Sequence, residues 1–90
     1  MDFELIQEIE NSFHKIRKLF TRTYIWDFSQ THFTDLEKYN YGMGTMIRLK
    51  LLKPNSRLYK LFVQNGFTGR DEMAMEIIRA FHKSFGRNHF

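Results

Sequence analysis

Near the midpoint of the chain, Gly42-Met43-Gly44-Thr45-Met46-Ile47-Arg48 places two of the five glycines within three residues, and no glycine precedes them. Lacking a Cβ, such a pair either ends a helix or lets another part of the chain approach closely. Helical patterns lie on both sides of it. They are expected to pack around this segment, so Gly42, Gly44 and Arg48 are read as structural residues.

From Asp2 to about Arg22, the apolar residues Ile6, Ile9, Phe13, Ile16 and Phe20 recur at alternating spacings of three and four. That rhythm predicts one continuous amphipathic helix of about five or six turns. Acids occupy its first turns, and Lys15, Arg17, Lys18 and Arg22 its last, an order that suits the helix dipole. The spacing also suits a coiled-coil seam, so a homodimer through helix 1 is a further expectation. The next stretch, Thr21 to Phe33, is dense in aromatic and β-branched residues. Tyr24, Trp26 and Phe28 alternate as in a strand, but one strand alone has nothing to pair with. An extended or turn segment closing over the core is expected; a base-stacking platform beside Arg22 is the sharper alternative.

Thr34-Asp35-Leu36-Glu37 has the form of a capping box and predicts a short helix to about Tyr39. A further helix is expected from Thr45 to about Lys53, ending before Pro54. Asn55 or Ser56 can cap the next one, whose apolar face is Leu58, Leu61 and Phe62, with Gly66 as a left-handed C-cap. Asp71 and Glu72 then open the last helix, in which Met73, Ile77, Phe81 and Phe85 recur every four residues up to Gly86. Arg87 to Phe90 is expected to fray. The fold class is thus all-α: one domain over residues 1–90, a compact bundle of four or five helices with an aromatic-rich connecting segment.

A chain of 90 residues buries only about 60–65% of its unfolded surface. An apolar fraction of 42% and ten phenylalanines offset the small size, since each aromatic ring buries a large area. There is no cysteine, hence no disulfide or thiolate-bound metal. The acidic start does not resemble a signal peptide, and no apolar run approaches the ~18–20 residues of a membrane span. A cytoplasmic protein without membrane association is expected.

Charge is unevenly spread. Lys38, Arg48, Lys50, Lys53, Arg57, Lys60 and Arg70 follow one another with no Asp or Glu between them, although the net charge is only +4. Such a segment is either a solvated face or a surface for phosphate or an acidic protein. Lys50, Lys53, Arg57 and Lys60, on either side of Pro54, are the candidate partner-binding residues.

Chemical motifs are missing. The Gly-x-Gly pair has no third glycine, no preceding strand and no Walker lysine. His14, His32, His82 and His89 lack ligand spacing, and Glu10 with His14 supplies only two groups. No nucleophile is marked by a base and an orienting partner. Neither a cofactor, a metal nor enzymatic activity is therefore expected. Arg48 is expected to grip Asp71 through both arms of its guanidinium, tying the middle helix to the start of the last.

The run Gly42-x-Gly44-x-x-Ile47-Arg48, then Leu58-x-x-x-Phe62-x-x-x-Gly66, then Asp71-Glu72-Met73-x-x-x-Ile77, resembles a family of small uncharacterised bacterial domains, over about residues 40–85. Members carry Gly-Leu-Gly before Ile-Arg-Asn, and His-Pro-Asp-Asp-Met-Ser at a helix start. Here Asn40, Leu49, Gly69-Arg70 and Ala74 stand where that pattern has His, Asn, His-Pro and Ser. The resemblance implies a helical fold and no particular activity. Small size, the missing catalytic motifs and the basic middle section point to a non-enzymatic protein-binding module, an adaptor or a phage- or mobile-element-type inhibitor. Its partner would be a larger, acidic-surfaced protein. A nucleic-acid-binding module using residues 38–70 is the alternative, and steep salt dependence would distinguish it.

Overall fold

The computed structural model describes residues 1–86. Seven helical segments follow one another along them: α1 (Phe3–Asn11), α2 (Phe13–Leu19), α3 (Arg22–Gln30), a 3-10 helix (Phe33–Asn40), α4 (Met43–Lys50), α5 (Arg57–Gln64) and α6 (Arg70–Gly86). There is no strand among the described residues, and the fold is an all-α bundle. The expected fraying of Arg87 to Phe90 lies outside them. The radius of gyration, 12.6 Å, is close to the ~12 Å of a compact chain of this length.

The centre of the bundle is α6, not the Gly42–Arg48 segment. Met73, Ala74, Met75, Ile77, Ile78 and Phe81 are all buried, more than one helix face can supply. α1, α3, α4 and the 3-10 helix pack against them. One cluster joins these residues to Leu5, Ile9 and Ile16, to Phe28 and Leu36, and to Met43, Ile47, Leu52, Leu58, Leu61 and Phe62. Each such side chain contributes roughly 1.5–3 kcal/mol by leaving water, against the entropy of ordering the chain.

Two expectations about the first third are corrected. The single first helix is interrupted at Ser12. There the amide and the hydroxyl both donate to the Ile9 carbonyl, at 3.0 and 2.6 Å, so the regular i to i−4 ladder is broken. The buried stripe is Leu5, Ile9, Ser12 and Ile16, whereas Ile6 is 41% exposed and Phe13 only partly covered. Ile9 and Ile16 are thus taken by the domain's own core and Phe13 and Phe20 pack against it, leaving Ile6 from the seam exposed. Second, the aromatic segment is a helix. After Phe20 in extended backbone, the Thr21 hydroxyl accepts the Tyr24 amide at 3.1 Å and opens α3. Phe28 is then buried, stacked on Phe81 at 5.5 Å and edge-on to Tyr39 at 4.9 Å. Burial of that ring outweighs the weak helix propensity of its neighbours. These two changes explain why six α-helices appear where four or five were expected.

Further on, the capping box does not form. His32, and not Thr34, is the N-cap, its Nδ1 accepting the Thr34 amide at 3.3 Å, and the segment winds as a 3-10 helix. α4 begins at Met43, earlier than expected, and ends at Lys50; Leu51 and Leu52 leave the helix and bury Leu52. The Ser56 cap of α5 accepts the Tyr59 amide at 3.1 Å. At its other end Gly66 has φ 91°, with Gly66 N–H donating to the Val63 carbonyl and Phe67 N–H to that of Phe62, and the Phe62 and Phe67 rings 4.9 Å apart. This is a Schellman C-cap with its apolar contact. Asn65 also accepts the Asp2 amide at 2.9 Å, tying the start of α1 to the end of α5, while Glu8 further along α1 faces Arg57 at the start of α5, so the two helices run antiparallel.

Candidate functional site

The basic segment 38–70 is less bare than its sequence suggests. Arg57 Nη2 lies 3.0 Å from Glu4 Oε2, and Nε 3.6 Å from Glu8 Oε1, both on α1. Lys38 lies 5.7 Å from the centre of the Tyr39 ring and Arg70 5.9 Å from that of Tyr59. Lys50, Lys53 and Lys60 are exposed, with no carboxylate in ion-pair range among the described residues. Two shallow clefts share Arg57 as a wall. One, of about 230 Å³, adds Lys15, Lys50 and the acid Glu8; the other, of about 320 Å³, adds Lys60. The fold therefore sets Lys50 and Lys60 in separate clefts on either side of Arg57, while Lys53 lines neither.

Arg48 sits in a closed polar node. Its guanidinium donates to Asn40 Oδ1 at 2.9 Å, to the Asn40 carbonyl at 3.0 Å and to Thr45 Oγ1 at 3.1 Å. Nη1 also lies 3.3 Å from Asp71 Oδ1, but that carboxylate is 79% exposed against 20% for Arg48. The two-armed grip expected on Asp71 is thus made on Asn40 instead. Gly44 leaves room for this node: a Cβ there would stand 3.1 Å from both Arg48 Nη1 and Asn40 Oδ1, a tight approach to each. At Gly42 a Cβ would meet the Tyr24 hydroxyl at 3.0 Å. Burial raises the Tyr24 phenol above its ordinary pKa and Tyr39 adds to this, while the Met43 backbone works the other way.

A third feature includes part of the aromatic stretch beside Arg22 that the sequence offers as a stacking platform: a groove of about 460 Å³ where α2, α3 and the end of α6 meet. Phe20, Ile25, Trp26 and Phe85 form its apolar walls, with Arg17 and Arg22 beside them. Trp26 is 63% exposed. The Arg17 guanidinium lies 5.4 and 5.3 Å from the centres of the Phe81 and Phe85 rings, and Phe20 stacks on Tyr24 at 4.6 Å. Neither arginine has a carboxylate in ion-pair range among the described residues. The signal was present as Arg17, Phe20, Arg22 and Trp26, but Phe85 joins them only through the fold.

Among the described residues, no group of three or more His, Asp or Glu side chains could hold a metal ion. His82 is placed by a 2.6 Å contact from Nε2 to the Thr31 carbonyl and by the Phe28 ring; His32 Nδ1 lies 2.8 Å from the Thr34 hydroxyl. No described helix is long and apolar enough to cross a membrane. Neither a curated protein nor a solved structure matches the chain. Residues 7–85, nearly the whole described length, match the model of a family described as Domain of unknown function (DUF6794), and the chain belongs to that family.

Proposed function

We propose that this chain is a small non-enzymatic binding module of the cytoplasm, an adaptor or a phage- or mobile-element-type inhibitor from a bacterial system. It docks on a larger, acidic-surfaced protein. One observation supports the reading most: Lys50 and Lys60 flank Arg57 in adjoining clefts, and neither has a carboxylate in ion-pair range among the described residues. Exposed cations of this kind steer an acidic partner and chiefly set the association rate. Arg57 has a lesser part than its sequence position implied, since Glu4 and Glu8 already face it.

The test is affinity capture from an extract of the native host, with and without nuclease, followed by measurement of binding to the captured protein. Lys50→Glu with Lys60→Glu should leave the melting temperature nearly unchanged, because exposed substitutions shift stability by under about 0.5 kcal/mol. The pair should slow association, whereas Lys53→Glu should do so less. Capture abolished by nuclease, with log affinity falling linearly in log salt, would favour the nucleic-acid alternative. Equal binding by the doubly reversed chain would reduce the basic surface to a solubilising face.

A further inference from the structure

We infer that the groove between α2, α3 and α6 is a second docking site, and that it receives an acidic amphipathic segment of a partner protein. Phe20, Ile25, Trp26 and Phe85 offer an apolar seat, with Trp26 largely in water. Arg17 and Arg22 stand at the same groove with no carboxylate of the described residues to pair with. An apolar side chain would cover the rings, and flanking carboxylates would give both guanidiniums the partners they lack. Exposed Trp with Arg around an apolar centre is also the composition in which interface energy concentrates.

Helix electrostatics support the assignment independently. Arg22 is the first residue of α3, where the positive end of the helix dipole disfavours a cation, and the first turn holds no acid to compensate. A residue that works against its own helix is better explained by an external anion than by folding. The occupant is a protein segment and not a nucleic acid because, among the described residues, only these two cations line the groove, too few to follow a phosphate backbone. An amphipathic helix in a groove meets both demands at once.

Trp26 is the only tryptophan of the chain, so its emission reports on this groove. The experiment titrates the full chain with a tryptophan-free helical peptide of about four turns. The peptide carries Leu and Phe on one face and Glu and Asp on the other. A second peptide has Lys in place of every acid, and oligothymidylate serves as a competitor. The acidic peptide should shift the emission to the blue and saturate; the lysine peptide should not, and the oligonucleotide should not compete. Arg22→Glu should weaken the acidic peptide by about tenfold without loss of thermal stability, which separates binding from unfolding. The proposal is overturned if Arg22→Glu binds the acidic peptide as wild type does, if the lysine peptide binds equally, or if oligothymidylate displaces the peptide.

Discussion

Arg48 and Arg17 are both held against the packed body of the domain, but their charges are used differently. Three hydrogen bonds to Asn40 and Thr45 and a carboxylate at 3.3 Å surround Arg48. Arg17 rests on two aromatic rings and, among the described residues, has no carboxylate in range. One guanidinium has its donors met inside the fold; the other keeps its charge for something outside. Net charge alone would count the two equally. Their surroundings assign Arg48 to stability and Arg17, with Arg22, to recognition.

Phe28 connects the two regions, touching Tyr39 beside the Arg48 node and Phe81 beneath Arg17. Phe28→Ala should therefore damage both and cost roughly 3–5 kcal/mol, a large part of the stability of so small a domain. A thermal midpoint unaffected by it would contradict the packing described. Next in size, Arg48→Ala should cost about 2–3 kcal/mol in urea unfolding, because it strips a charged donor from the Asn40 side chain and carbonyl. Arg48→Lys should not restore this, since an ammonium cannot span both acceptors. Arg17→Ala should cost only ~0.5–1 kcal/mol, the worth of its contact with the rings. Equal costs at positions 48 and 17 would break the comparison.

Within the node the partners are also unequal. A double-mutant cycle between Arg48 and Asn40 should give a coupling of about 1–2 kcal/mol. The cycle between Arg48 and the exposed Asp71 should give ~0.5 kcal/mol or less. A larger coupling to Asp71 would show that the ion pair, not Asn40, holds the node. The smallest effect concerns pH. The folded phenol of Tyr24 is raised above its ordinary value of 10.0 by burial. Its contribution is therefore complete below the range in which the unfolded phenol titrates, and is lost as pH rises through the folded pKa. Tyr24→Phe should remove that alkaline dependence, as stability measured against pH would reveal.

Much of the fold follows from residues close together in sequence. The Ser56 cap, the Gly66 turn and the acidic start of α6 each depend on chemistry within a few positions, and each lies where local reasoning puts it. Ser12 shows why the stripe read from the sequence has Ile6 and Phe13 where Leu5 and Ser12 are buried. Its hydroxyl is satisfied by the Ile9 carbonyl, so a polar residue sits in the buried row and disguises the phase of Leu5, Ile9 and Ile16. In α3, β-branched and aromatic residues imitate strand alternation, and only the contact of Phe28 with α6 decides for helix. The charge map was the least legible. Glu4 reaches Arg57 across 53 positions, and Phe85 closes a groove begun at Arg17. No local pattern carries such pairings.

The most direct measurement is the thermal midpoint of Arg22→Glu beside wild type. If Arg22 is kept for an external anion, replacing it with a carboxylate at the first residue of α3 should improve the helix by roughly 0.3–1 kcal/mol. The midpoint should then rise by about 1–8 °C. A fall of several degrees would show that Arg22 supports the fold, and would contradict the division between arginines used inside the domain and those left for a partner.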